Sequence, residues 1–417
     1  MGSRRIRWGT VGGLISAACI LMTACGGTED GPHPLCVTRP DLCALPVTDA
    51  PEIHFIAQIA PSTEMPSEVV SQPAHNNLDI TMFEGRLFFA FRTAPDHFAS
   101  AETVLYVVSS QDLTTWRFEG AFALGTDLRE PQLVVVGDTL HFYFALLGTD
   151  PLAFEPGGSR VTTYLGPGAW SPLEEIFSTD FIPWRIKHHE GALVITGYTG
   201  GEGIYEPGGD PIAVHWLTSQ DGLEWRPYVP DQPIVLEGGG SETDVVWRAD
   251  GGVIAVSRNE AGDASGFGMK ICRAEAGALG DWSCVSDPKK YDSPLLFTQG
   301  EQIFLIGRRN VTETGNFDIS DPEDDLFDRY LENQGAYWQS PKRCALWEVD
   351  PDKLKVDFVR DLPSQGDTCF PEAIRLTDHH LLVFNYSSPP PTGGEDLSWL
   401  EGQMGQTEIS AFVLTLP

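Results

Sequence analysis

The 417 residues carry 59 Asp and Glu against 27 Lys and Arg, a formal net charge of −32. So acidic a surface repels polyanions at long range and argues against nucleic-acid partners, yet it leaves room for a small anion held by a local cluster of arginines. Apart from one short run near the N-terminus, no stretch approaches the roughly 20 apolar residues that a membrane-spanning helix needs.

That run is the first predicted element. Arg4, Arg5 and Arg7 precede a mostly apolar segment, Val11 to Ala24, ending in Leu21-Met22-Thr23-Ala24-Cys25. A cationic start, a short apolar core and small residues before a cut predict a signal peptide over residues 1–24. Because these lead into Cys25, Gly26 and Gly27, the site resembles the lipobox of bacterial lipoproteins, in which that cysteine is lipidated. The resemblance implies an exported protein of the bacterial cell envelope, anchored in membrane lipid through Cys25 at the outer membrane or cell surface. Loss of Cys25 with an ordinary signal peptide is the alternative. Residues 26–50 are rich in Gly, Pro, Thr and Asp without apolar periodicity, and are expected to form a flexible tether.

Six further cysteines remain, Cys36, Cys43, Cys272, Cys284, Cys344 and Cys369, an even number in an oxidising compartment. Nearest-neighbour pairing predicts three disulfides: Cys36 with Cys43, Cys272 with Cys284 around a turn at Gly277 and Gly280, and Cys344 with Cys369. A zinc site is the rival reading, but no Cys-x-x-Cys pair occurs, and no metal is expected.

From residue 51 onward the chain repeats itself. Each unit opens on a polar or charged cluster, runs into an apolar strand, turns at Gly or Asp, and returns in a strand rich in Phe, Val, Ile or Tyr. The units begin near Asn77, Arg129, Pro183, Ser241, Tyr291 and Asp367, at a spacing of roughly 50 residues. The last spacing is stretched by an acidic insertion over about 311–343, where Asp318, Asp321, Glu323, Asp324, Asp325 and Asp328 cluster; a solvated loop is expected there, with calcium the minor reading. Two units end in Ser110-Gln111-Asp112-Leu113-Thr114-Thr115-Trp116 and Ser219-Gln220-Asp221-Gly222-Leu223-Glu224-Trp225, turns closed by Ser and Asp with a tryptophan packed back on the sheet. Six such units predict an all-β chain folded as one six-bladed β-propeller over residues 51–417.

The Ser-x-Asp turns resemble the Asp boxes of the sialidase superfamily, and the whole repeat resembles a sialidase-like propeller. The fourth unit, Ser241-Glu242-Thr243-Asp244 with Ser257-Arg258, looks like the blade that supplies a catalytic glutamate and a carboxylate-binding arginine. The resemblance therefore implies Glu242 as catalytic and Arg258 and Arg308 as substrate-binding, with Asp96 as the acid/base and His97 as its rival. Two positions depart from the family. Asn77-Leu78-Asp79 lacks the arginine that opens the first blade, and Phe370 stands where a tyrosine nucleophile is expected; a phenyl ring cannot attack an anomeric carbon.

Independently of family, the innermost strands of a propeller converge on a central channel. The polar residues at their ends include Asp79, Arg92, Arg129, Glu130, Arg185, Glu242, Arg258, Arg308 and Asp367. Arginines grip carboxylates bidentately and paired carboxyl groups cleave glycosides, so Glu242 with Asp79 or Asp96 is the expected catalytic pair and the rest the binding set. Blade-to-blade salt bridges are the competing use of these residues. No phosphate loop, Ser-His-Asp signature or HExxH motif occurs, and no cofactor is expected. The reading is a glycoside hydrolase, acting as a monomer on terminal sugars, acidic ones included; a non-catalytic glycan- or protein-binding lipoprotein is the alternative.

Overall fold

In the computed structural model, which describes residues 31–417 except 152, 202–210, 391–393 and 395, the chain forms six small antiparallel sheets arranged as a six-bladed propeller. The expected signal peptide and Cys25 lie outside the described residues. Alternating apolar residues and turns of the Glu84-Gly85 and Gly137-Asp138 kind make each unit a meander. Its first strand lines the channel and its fourth lies outermost. Blade 1 comprises Ala74–Phe83, Arg86–Ala94, Val104–Ser110 and Trp116–Phe122, and blade 2 begins with Leu128–Val136 and Thr139–Leu147. The inner strands of blades 3 to 6 are Ile182–His189, Gly240–Trp247, Asp292–Gln299 and Glu372–Thr377.

The ring closes on a strand that belongs to no repeat unit. Glu52–Ala60 pairs with Glu408–Thr415, so the start of the propeller supplies the fourth strand of blade 6. The core lies between blades as layers of buried side chains, such as Phe89, Phe91, Phe370 and Phe384 between blades 1 and 6.

The segment expected as a tether is partly folded. Pro34–Thr38 and Pro40–Cys43 are short helices stapled by the Cys36–Cys43 disulfide, and Leu35 and Leu42 are buried in that same core layer. Once the disulfide shortens this segment, two leucines on one side of it can bury apolar surface that a free tether would leave in water.

All three expected disulfides form, with Cα separations of 5.6, 4.0 and 4.9 Å for Cys36–Cys43, Cys272–Cys284 and Cys344–Cys369. The shortest falls below the usual range of about 4.4 to 6.8 Å because Cys272 and Cys284 face each other directly across paired strands. Cys344–Cys369 joins blade 5 to blade 6 across 25 residues, and replacing both by Ser is expected to cost about 3 kcal/mol, read as a lowered denaturant midpoint.

The Trp turns are built as expected. Ser110 Oγ accepts from the Leu113 amide at 2.9 Å and Asp112 accepts from the Thr114 and Thr115 amides at 2.9 and 2.7 Å; Ser219 and Asp221 repeat the pattern. The residue after each Asp is left-handed, with φ of 62° at Leu113 and 76° at Gly222, a conformation that glycine adopts without strain.

The acidic insertion is more ordered than a solvated loop. It contains the helix Leu326–Gln339, capped by Asp325, whose side chain accepts from the Phe327 and Asp328 amides. Asp318 accepts from the Phe267 amide and from Ser320. Among the described residues, no group of three or more His, Cys, Asp or Glu side chains is placed to hold a metal ion. No helix among them is long and apolar enough to cross a membrane.

Candidate functional site

The site begins with a defect repeated around the ring. The pairing of first and second strands slips at the same height in five blades: at Asn76/Leu78, Arg129/Gln132, Pro183/Arg185, Gly240/Thr243 and Asp292/Leu295. A bulge re-aims the side chain it carries. Here Asn77, Glu130 and Ser293 have φ of 36°, 51° and 54°, and Cys369, just before Phe370 in blade 6, has 79°. The result is that Asn77, Glu130, Glu242, Ser293 and Phe370 line one cavity of about 450 Å³ at one mouth of the channel. The second strands add Tyr198, Arg258, Arg308 and Tyr386, and the insertion helix adds Tyr330 and Trp338. Trp399 and Gln403, on the helix Trp399–Gln403, complete the wall.

Two residues past the bulge, side chains do a different job. Asp79 accepts from the Leu133 and Ile80 amides, Gln132 from the Ile186 amide at 3.2 Å, and Asp244 from the Leu296 amide at 2.6 Å. Each ties one inner strand to the next blade. Asp79, expected to be catalytic, is therefore a blade-to-blade link; it borders a separate cavity of about 530 Å³ lined by the far ends of the inner strands.

Arg185 also belongs to that far cavity. It pairs with Glu372 and donates to the Pro294 and Pro371 carbonyls, closing the ring between blades 3, 5 and 6. Arg92 is wholly buried behind the near cavity. Its Nη2 lies 2.7 Å from Asp127, and it donates to the Asp96 and Phe98 carbonyls at 3.1 and 2.9 Å. Asp96 accepts from the Phe98 amide at 2.9 Å within its own loop and is not among the lining residues. So Arg129, Arg258 and Arg308 reach the cavity, while Arg92 and Arg185 do not.

His97, next to Asp96, does line the cavity. Its Nδ1 is 2.7 Å from Asp367 Oδ2, and its Nε2 is 3.3 Å from Arg129 Nη1. Asp367 is buried behind it and also accepts from the Tyr386 hydroxyl at 3.0 Å and Trp399 Nε1 at 3.1 Å.

The carboxyl groups in the cavity sit in unlike surroundings. Glu242 accepts from Arg258 Nη1 at 2.6 Å and from the Ser293 amide at 2.8 Å. Arg258 also reaches Glu260 at 2.7 Å and Asp292 at 3.3 Å. Glu130 has no such partner for its Oε2 among the described residues; burial and the nearby Glu242 charge push its pKa up to about 8, outweighing Arg129, Arg185 and Arg258. Arg308 is 4% exposed, lies over the Trp399 ring at 4.7 Å, and finds no hydrogen-bond partner for Nε or Nη1 among the described residues.

Sequence reasoning missed Glu260, Asp127, Trp399 and the insertion aromatics. Glu260 and Asp127 stand two residues from Arg258 and Arg129, each just outside the strand that carries its arginine, so a carboxylate two residues from an arginine is the signal the sequence offers. Of the aromatics near the ends of the inner strands, Tyr198 and Phe370 line the cavity, whereas Trp184 and Tyr291 are buried in blade packing against Phe370 and Trp347.

No family model matches the sequence, and no curated protein matches it. Among solved structures the chain is similar to a protein of unknown function from Dyadobacter fermentans, at 14% identity and a TM-score of 0.56, over 88% of this chain and 99% of that one. It is also similar to Trypanosoma rangeli sialidase in complex with sialic acid, at 11% identity and a TM-score of 0.53, over 89% of this chain and 59% of that one. A mutant of that sialidase displaying trans-sialidase activity matches at 12% identity and a TM-score of 0.51, over 88% and 57%. The chain spans a little over half the length of these sialidase chains, and at such identities the likeness establishes the fold: a six-bladed β-propeller with sialidases among its structural neighbours.

Proposed function

We propose that the near cavity binds a terminal acidic sugar and hydrolyses its glycosidic bond with the help of two carboxyl groups. The observation that carries this reading is the pairing of Glu130, protonated at neutral pH, with the ion-paired carboxylate of Glu242 in one cavity. Carboxyl groups held in opposed environments divide the work of acid and charge stabiliser. Glu130 gives its proton to the leaving oxygen, water attacks the anomeric carbon as the bond breaks, and Glu242 stabilises the positive charge that develops there. Phe370 rules itself out as a nucleophile, which favours direct displacement by water. Arg308, whose Nε and Nη1 find no hydrogen-bond partner among the described residues, supplies the site for a sugar carboxylate.

The location follows from the sequence pattern: an exported chain, lipid-anchored through Cys25 in the bacterial cell envelope, with glycans as its ligands. Three disulfides suit that oxidising setting.

Arg308→Ala should weaken binding of an acidic monosaccharide by about 2 to 5 kcal/mol in calorimetry, because the sugar carboxylate loses its charged partner, and should leave neutral sugars unaffected. Equal affinity in both proteins would remove the acidic-sugar reading. The decisive assay is turnover of a panel of chromogenic glycosides that includes sialosides and uronides. The second reading, a glycan-binding protein without turnover, is favoured by Phe370 and Asn77 at the two departures from the sialidase pattern; ligand binding with no turnover anywhere on the panel would establish it.

A further inference from the structure

His97 and Asp367 have no part in the two-carboxyl scheme, yet His97 lines the cavity and Asp367, buried behind it, holds its ring. They come from opposite ends of the propeller sequence and meet only because blade 6 closes against blade 1. The loop carrying His97 hangs from Arg92, through the carbonyls of Asp96 and Phe98 on either side of it. The His97 carbonyl is also gripped by Arg129, and its amide donates to the Gln403 carbonyl at 3.0 Å. Asp367 is fixed in turn by Tyr386 and Trp399. Both main-chain and side-chain contacts therefore fix where the imidazole stands.

The hydrogen bonds also set its tautomer. Burial opposes ionisation of Asp367, but His97, Arg308 and the Tyr386 hydroxyl together hold its pKa below the usual carboxylate value. An ionised Asp367 accepts from Nδ1–H, which leaves Nε2 as the unprotonated nitrogen, in the position to accept from Arg129. Among the described residues, the charged groups facing the ring are Asp367, Arg129 and Arg92. Burial, aided by the two guanidiniums, lowers the His97 pKa against the opposing pull of Asp367.

We propose that His97, oriented by Asp367, is the general base that takes the proton of the attacking water in this cavity. The inference rests on the hydrolase reading above and adds the group that this reading leaves unnamed. The water oxygen forms its bond to the anomeric carbon as the glycosidic C–O bond breaks. The water proton passes to His97 Nε2, the proton of Glu130 passes to the leaving oxygen, and Asp367 stabilises the imidazolium. In this scheme the water takes the place at Nε2 that Arg129 Nη1 holds at 3.3 Å, while Arg129 keeps its contacts with the His97 carbonyl and Asp127. No oxidant, metal or co-reactant enters the balance. Asp367 is a positioning residue: it touches no substrate and acts by fixing the ring.

Two measurements test this on the full mature chain. Nuclear magnetic resonance of ring-labelled histidine needs no turnover: His97 should be the Nδ1–H tautomer at neutral pH, with a pKa below 6.5, and Asp367→Asn should shift it toward the Nε2–H tautomer. An Nε2–H tautomer or a charged ring at neutral pH in the wild-type chain overturns the proposal outright. In the glycoside assay, His97→Gln should lower kcat by about 10² to 10⁴-fold and abolish the acid limb of its pH profile. Lys342, pushed down to about 6 by burial and by Arg308, titrates nearby but does not line the cavity. A limb that survives in His97→Gln would belong to such a group and would sink the base role while leaving the hydrolase reading standing. Absence of wild-type turnover on every glycoside removes the hydrolase reading and the base role together.

Discussion

Replacing Glu130 by Gln is expected to lower turnover by about 10² to 10⁴-fold while leaving both the fold and the affinity for acidic sugars largely unchanged. The asymmetry follows from the environment of the residue. Burial and the Glu242 charge raise its pKa to about 8, so at neutral pH the native side chain is a neutral carboxylic acid. Glutamine matches that form in shape and charge and keeps a hydrogen-bond donor. It lacks only the proton to give.

The pH dependence carries the same signature. A general acid must be protonated, so activity of the native chain should fall as pH rises through about 8, where Glu130 ionises. A base must be neutral, so activity should also fall as pH drops below 6.5 toward the lowered pKa of His97. The expected profile is a bell between these limits. Glu130→Gln should lose the alkaline limb from whatever activity remains. If the variant turns over as fast as the native chain, or retains an unchanged alkaline limb, Glu130 is not the acid.

The second large effect is on stability. Arg92→Met should destabilise the propeller by about 3 to 5 kcal/mol in denaturant unfolding, since it removes one half of a fully buried ion pair with Asp127. Asp127 keeps Arg129 and Thr103 as partners. Asn76 Oδ1 and the Asp96 and Phe98 carbonyls lose the guanidinium that serves them. Because those carbonyls flank His97, the variant should also lose function at temperatures where it remains folded. A variant as stable as the native chain would show that the pair breaks even against an apolar replacement, as some buried ion pairs do.

Much of this architecture is legible in the chain because it is written locally. Alternating apolar residues, Gly and Asp turns and the Ser-x-Asp turns ahead of Trp116 and Trp225 specify meander units, and their repetition specifies blades. The cysteines pair with their sequence neighbours because each pair brackets a hairpin or a short link. Glu242, Arg258 and Arg308 are visible for the same reason: they sit at strand ends, where the geometry of a propeller points them inward.

What the sequence does not determine is which inward-facing residue belongs to which mouth of the channel. Asp79, Gln132 and Asp244 each stand two residues beyond Asn77, Glu130 and Glu242, yet the first three bind amides of the next blade and the second three line the cavity. A bulge between a blade's own first and second strands makes that choice, and the amides of the next blade hold it. The choice of His97 over Asp96 is likewise tertiary, since Asp367, 270 residues away in sequence, holds the imidazole at the cavity, while Asp96 accepts within its own loop. Residues 52–60 become the last strand of blade 6, and the insertion becomes a cavity wall, through contacts that exist only once the ring has closed.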